Sequence, residues 1–533
     1  MGLENIIKNL QCELPWEIFL SKMEEEGFIK EHSVSFSHTS NIDKFKQLFL
    51  SGNIMLIGNR IHSGSIRDPS HLHISPYALF RPITEEQLKK IIVYSQQYKI
   101  PITFAGGKTG LSGGYSNFGI LVDLADLHSF NEPFQLNLKK EQISVEQGVI
   151  VSDLIKAVQF LSNGRYIFPI QPASALKLPV RIGGLISSNA SGVTSGKLGS
   201  VENWVENVRV MKPNGIIIKI DNKNPLFKRI IGGNGYFGVV LSAVFKLYKP
   251  LTDLKRAIIY GHDIKLAFNG LQSILDFKIF PLISEFVISN ERLPGKFSEL
   301  IVSSEDDIRA KWATIIKGTS SEIDEFIRLM NKETGCSWSI LTEEEFQEYL
   351  QERSAFALLV QTSDTTSDYI AFPSFEDILS EPKNLPYVIE TINNIFIKHG
   401  FHKVIFGYGH INFRKGQGLL LHMRLPVPIE YFYKGNEKKL TKVGQTVYEV
   451  IFTLKEKFNV KHKAEHSPGI FPFFLSADFR ENYREMVKQG TAFINPHLMI
   501  YDQLEKEEYK QKINKENEKH IFIKALNIYL SNM

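Results

Sequence analysis

Two cysteines in 533 residues, Cys12 and Cys336, are far apart in the chain and match neither a paired metal motif nor a disulfide framework. Such sparse usage suits a reducing compartment. A block of like charge is missing too: 62 basic against 58 acidic side chains leave a net +4, spread along the chain, so a nucleic-acid partner is unsupported. No stretch offers the eighteen or so uncharged apolar residues that span a bilayer. The opening MGLENIIKNLQCELPW carries acids where a secretory signal would be charged and then apolar. These absences lead us to expect a cytoplasmic protein without a transmembrane segment. Repeats and low-complexity segments are also lacking. What is present is ordinary globular material, 43% hydrophobic and 23% charged, long enough for two or three domains.

The sharpest local signal is Thr84-Glu85-Glu86-Gln87, a capping box ahead of Leu88, Ile91 and Ile92, which predicts a helix ending near Lys99. Pro101 then forces an extended entry, and Ile102 and Phe104 continue a strand into Gly106. Gly107-Lys108-Thr109 is not a nucleotide P-loop. That motif needs a glycine where Ile102 stands and a helix starting at the Lys-Thr, whereas LSGGYSNF follows. On this window alone, an anion-wrapping turn and a plain surface loop are equally open. A second glycine-, serine- and asparagine-rich window spans 172–199. A third, RIIGGNGYFGVVLSAVFKLYKP, spells GxGxxG from Gly233 to Gly238, with Asp253 downstream. It is not a Rossmann fingerprint, because VVLSAVFKL reads as a strand and not as the helix that should hold the pyrophosphate. Between these windows NVRVMKPNGIIIKI reads as a β-hairpin turning at Lys212-Pro213-Asn214-Gly215. Three such loops on an α+β scaffold point to a large phosphate-bearing cofactor.

In their order and spacing, "RPITEEQLKKIIVYSQQYKIPITFAGGKTGLSGG", "PASALKLPVRIGGLISSNASG" and "IIGGNGYFGVV" resemble the FAD-linked oxidases with a PCMH-type FAD-binding domain, within the vanillyl-alcohol oxidase superfamily. The resemblance implies an α+β fold with a two-subdomain FAD-binding domain over 60–250; the stretch 1–59 before it, with short helical patterns such as PWEIFLSKMEEEGFIK, reads as a helical lead-in. A substrate (cap) domain with an antiparallel sheet would follow over 251–480, and a C-terminal helical segment over 481–533 would return to the FAD domain. It further implies FAD, bound noncovalently despite His71 and His73 nearby, around Gly106, Gly107, Thr109, Gly110, Leu111 and Ser112. Gly183, Gly184, Asn189, Ala190 and Gly192 would line the second cofactor segment, and Gly238 and Val239 the third. Lys108 reads as a solvated side chain.

The C-terminal half is similar to the branch holding the glycolate oxidase D subunit, D-lactate dehydrogenase and D-2-hydroxyglutarate dehydrogenase. The likeness lies in Arg353, in Ser367 to Pro373, in Gly409-His410-Ile411 through His422, in Ala464-Glu465-His466, and in Phe493-Ile494-Asn495-Pro496. Together with the FAD half it covers roughly residues 60 to 500. It implies oxidation of a 2-hydroxy acid to a 2-oxo acid by hydride transfer to flavin, with His466 as general base and Arg353 clamping the substrate carboxylate. His410, His422 and Glu465 would hold Zn²⁺ or Mn²⁺. The residues allow an independent check: if Lys415-Gly416-Gln417 form a three-residue loop, His410 lies directly opposite His422, close enough to share an ion. The pattern also departs from the family. His410 and His422 are twelve residues apart where the motif GHxGDGNxH sets seven, and its acidic residue is absent. Two alternatives therefore stay open: a metal-independent flavin enzyme acting on an alcohol, amine or alkyl-phospholipid precursor, and a degenerate FAD-binding subunit. The electron acceptor, whether quinone, electron-transfer protein or oxygen, is open as well. The charged stretch from Asp502 to His520 reads as a solvated helix, with IFIKALNIYL after it docking on the same chain.

Overall fold

The computed structural model describes residues 10, 13–30, 54–57, 76–110, 113–115, 117–128, 132–289, 293–303, 308–361, 369–372, 378–402, 406–412, 418–432, 436–462, 477–500, 502 and 519–524. Its first sheet takes strands from both ends of a long stretch. β1 (Ile29–Lys30), β2 (Ile54–Ile57), β3 (Ala78–Phe80), β4 (Ile102–Ala105) and β5 (Ile120–Asp123) lie in the order β1-β2-β3-β5-β4. Besides its helix α1 (Trp16–Glu25), the 1–59 stretch thus supplies two strands. Helix α2 (Glu85–Gln97) follows the sequence signal closely. Thr84 Oγ1 accepts from Gln87 N–H, Gln87 Oε1 accepts from Ile83 N–H at 2.8 Å, and Leu88, Ile91 and Ile92 are buried.

The second sheet is antiparallel. β6 (Phe134–Asn137), β7 (Gln142–Glu146), β8 (Val205–Met211), β9 (Ile217–Asp221) and β10 (Val239–Lys246) lie in the order β6-β7-β10-β8-β9. The hairpin β8–β9 turns where expected, with Gly215 at φ +76°, a left-handed conformation that glycine adopts without strain. β10 is the strand that rules out a Rossmann helix after Gly238. The first and second sheets have separate cores, one around Phe80, Ile91 and Val122, the other around Val145, Phe168 and Phe245.

The third sheet, eight-stranded and antiparallel, fits the expected cap domain. It is built from β11 (Leu254–Gly261), β12 (Ile283–Ser289), β13 (Trp312–Thr319), β14 (Ser337–Ile340), β16 (Ile378–Ser380), β17 (Phe406–Asn412), β18 (Gly418–Met423) and β20 (Lys461–His462). Their order is β14-β11-β13-β12-β17-β18-β16-β20. β15 (Tyr369–Phe372) and β19 (Leu425–Pro428) pair separately. One face of the large sheet, with Phe286, Ile288, Leu419 and Leu421, packs under helices Ile264–Asp276, Ser320–Thr334, Leu385–Lys398 and Glu437–Phe458. The opposite face, with Ile283, Val287, Ile315 and Tyr408, meets helix α7 (Glu343–Gln361; counting helices longer than four residues, the four Val151–Leu161, Ile182–Ser187, Ile264–Asp276 and Ser320–Thr334 lie between α2 and it) through Phe346, Tyr349 and Leu350. Among the described residues, no helix is long and apolar enough to cross a membrane.

The chain then returns to the first sheet. Ile102 N–H donates to Ile494 O at 3.0 Å, and Phe493 N–H to Tyr236 O at 2.8 Å. Most of the charged tail lies outside the described residues, but Ile521 and Phe522 beyond it are fully buried in the cap-domain core, as intramolecular docking requires.

Candidate active site

A cleft enclosing ≈1310 Å³ of empty space, continuous with solvent, opens between the glycine-rich windows and the large sheet. The glycines are there because neighbouring backbone or side-chain atoms leave no room for a Cβ. A Cβ on Gly107 would stand 2.0 Å from Pro179 O, one on Gly192 2.3 Å from Gln171 O, and one on Gly238 2.4 Å from Val210 Cγ1. The first window is thereby pressed onto the second, leaving the wall to backbone and small side chains.

Gly106, Gly107, Thr109, Gly110, Gly184, Ala190 and Gly192 line this cleft. Gly183, Gly238 and Val239 line an adjoining cavity that shares Gly106, Gly184 and Asn234 with it. Leu111 and Ser112 lie outside the described residues. Asn189 stands apart: its backbone is left-handed at φ 48°, and its Oδ1 accepts from Glu202 N–H at 3.0 Å, so it shapes the loop and does not line either cavity. Lys108 is corrected. It is not a solvated side chain, for its Nζ lies 2.8 Å from Oδ2 of buried Asp123 and it lines the cleft. Arg181 of the second window ties it to the turns after β5 and β7 by donating to Ala125 O at 3.2 Å and to Gly148 O.

The cap domain closes the other side of the same cleft with Arg353, Tyr408, His410 and His422. The hairpin register differs from expectation. Asn412 pairs with Gly418, so the connection is 413–417, and His410 faces Leu420 while His422 faces Tyr408. The slip is by two residues, which preserves side-chain parity, so the histidines share a face as a diagonal pair with ring centroids 5.9 Å apart. His410 Nε2 lies 3.1 Å from Ser191 Oγ of the second window. Its Nδ1 is 3.9 Å from Oε1 of Glu285, the residue opposite it on β12. Glu285 Oε2 is in turn 2.7 Å from Arg353 Nε. The Arg353 guanidinium sits 4.3 Å above the Tyr408 ring, and Arg424 donates to Tyr408 Oη at 3.4 Å.

Glu465, His466 and the 362–368 stretch lie outside the described residues. Among the described residues no group of three His, Cys, Asp or Glu could hold a metal ion. They do not by themselves make a metal site, and no step below runs through one.

Residues 76–221 match the family described as "FAD binding domain". The chain carries an FAD-binding domain. The close-packed glycine cradle fits that cofactor. The chain is similar to D-2-hydroxyglutarate dehydrogenase of Stutzerimonas stutzeri (strain A1501), at 23% identity over 442 residues, covering 80% of this chain and 90% of that protein. It is also similar to glycolate oxidase subunit GlcD of Bacillus subtilis (strain 168), at 28% over 220 residues, 40% of this chain and 45% of that one. The fold around the FAD-binding domain matches an alkyldihydroxyacetonephosphate synthase, with TM-score 0.59, 15% identity and coverage of 80% and 77% of the two chains. It also matches xylooligosaccharide oxidase from Myceliophthora thermophila C1, with TM-score 0.57, 13% identity and coverage of 83% and 96%. These two likenesses show a shared fold.

Proposed function

We propose that the protein is an FAD-dependent oxidoreductase that converts a 2-hydroxy acid to the 2-oxo acid. The observation that carries this reading is one cleft with the cofactor windows on one wall and Arg353, Tyr408, His410 and His422 on the other. The flavin, when bound, supplies the acceptor for the hydride leaving the α-carbon. The chain's own part is placement. Arg353 binds the substrate carboxylate as a planar fork, and Tyr408 beneath the guanidinium fixes its plane. The hydroxyl proton passes to His466, whose ordinary pKa suits a general base. Binding of Zn²⁺ or Mn²⁺ by His410, His422 and Glu465 belongs to the same proposal. One observation favours a metal-free form of the reaction, namely that His410 Nε2 is already engaged by Ser191. We place the enzyme in the cytoplasm, passing electrons to an acceptor that the site does not identify.

The test is anaerobic bleaching of the bound flavin by a panel containing D- and L-lactate, glycolate and D- and L-2-hydroxyglutarate, with metal content measured on the same sample. Reduction by at least one member is expected. A flavin-loaded protein that none of them reduces would refute the hydroxy-acid reading, and a metal-free protein that is reduced would select the metal-free form.

A further inference from the structure

Glu285 belongs to none of the motifs, yet its side chain is fully buried on the central strand β12. Removing a carboxylate from water costs several kcal/mol unless it is paired, and here the partner is Arg353, itself 3% exposed, reaching in from α7. Stability alone gives little reason for such a pair, because apolar replacements of buried ion pairs are often as stable. Its position beside the cleft gives one. A guanidinium has five N–H donors in a planar fork. Glu285 Oε2 lies 2.7 Å from Arg353 Nε as an ion pair without hydrogen-bond geometry, and Tyr408 covers one face of the guanidinium. Among the described residues Arg353 makes no hydrogen bond and no other ion pair, and it lines the cleft. Its Nη edge is therefore the part left to bind a ligand, and that edge matches a carboxylate's two oxygens. The other oxygen of Glu285 faces His410, so one buried carboxylate sets two cleft residues from different elements.

We propose that Glu285 is a positioning residue for carboxylate recognition, holding Arg353 by Nε so that its Nη edge receives the substrate carboxylate. The inference rests on the hydroxy-acid reading above. It makes a prediction opposite in sign to simple charge counting. Glu285→Gln removes a negative charge next to an anion site, which by electrostatics alone tightens anion binding; loss of positioning weakens it.

The experiment uses the FAD-loaded full chain and oxalate, a non-reducing carboxylate probe, followed by the change it causes in flavin absorbance. Glu285→Gln should weaken oxalate binding roughly tenfold, the scale of one misaligned charge-assisted hydrogen bond, while flavin content stays at the wild-type level. Arg353→Met should weaken it at least as much. In the double variant Glu285→Gln/Arg353→Met the loss should be no greater than in Arg353→Met alone, because Glu285 acts through Arg353. The double variant removes both charges of the pair and strands neither, so it tests the inference even where Glu285→Gln, with a stranded Arg353, fails to fold. Unchanged or tighter oxalate binding in Glu285→Gln, or a further loss in the double variant beyond Arg353→Met, overturns the inference and leaves the hydroxy-acid reading intact. Wild-type protein that neither binds oxalate nor is reduced by any hydroxy acid overturns both.

Discussion

His497 gives the fold a pH dependence that can be worked from its surroundings. It follows Asn495-Pro496 where the chain comes back to the first sheet, is 3% exposed, and bonds through its ring to the backbone of Gly113 and Gly114 in the first cofactor window. Burial disfavours the charged ring and lowers its pKa from 6.5 to about 4, although the bonds to Gly114 and Gly113 act in the opposite direction. In the unfolded or undocked chain the ring protonates near its ordinary value. Between pH 6.5 and about 4 the undocked state thus binds more protons than the docked one, and stability falls as the pH falls. Above that window the contribution is fully present. At about 1.4 kcal/mol per pH unit, the loss amounts to about 3 kcal/mol once the pH is below about 4. A chain with several cores does not unfold in one step, so the readout must be local. Hydrogen exchange at Ile102, Phe493 and Gly113 to Tyr115 should lose protection as the pH drops from 7 to 4. In His497→Asn, whose side chain does not titrate, protection should start lower but decline less over the same range. Parallel declines in the two proteins would refute the argument, because the loss would then come from other groups.

Gly107→Ala should yield protein with little FAD at the usual flavin-to-protein absorbance ratio, since the new Cβ meets Pro179 O at 2.0 Å and a backbone carbonyl moves only with its loop; a normal ratio would mean that the two windows are not pressed together. Lys108 holds φ at 55°, costing about 1 kcal/mol for a residue with a Cβ, and offsets this through Asp123. Lys108→Met, which keeps the strain and loses the ion pair, should therefore melt lower than Lys108→Gly, which loses both; equal melting temperatures would remove the strain from the account. Truncation after Leu504 should leave FAD bound, because the cofactor windows lie in other cores, while exposing the pocket that Ile521 and Phe522 fill among the cap-domain helices. Increased dye binding with unchanged flavin content is the expected result, and loss of flavin from a soluble truncation would contradict it.

The parts of this fold that could be read in the sequence are those with local causes. A helix start is written in four residues, as at Thr84 to Gln87, and a tight turn in the residue that can hold a positive φ, as at Gly215. The cofactor windows were legible because each needs glycine where two backbones nearly touch, so three of them in order carry far more information than one. Lys108 was misread for the complementary reason. Its partner Asp123 lies on a neighbouring strand, and nothing within the window indicates a buried carboxylate beside it. The hairpin register was missed because a loop of three residues and one of five leave the same alternation; parity put both histidines on the correct face, while the turn geometry displaced them along it.

Glu285 marks where a signal existed and went unused. ISEFVIS reads as a strand, and every one of its residues is buried, as expected of a strand packed on both faces. A single glutamate in such a run conflicts with its neighbours, because the interior that accepts Phe286 and Val287 rejects an unpaired carboxylate. That conflict alone requires a cation from elsewhere in the chain, and the arginine already singled out for the substrate was a candidate for it. What sequence does not supply is the direction from which that arginine arrives. Approach through Nε leaves a fork for a ligand, whereas approach through the Nη edge would have occupied the fork and made Arg353 structural only. The difference between a binding residue and an inert ion pair therefore rests on which edge of one guanidinium faces β12.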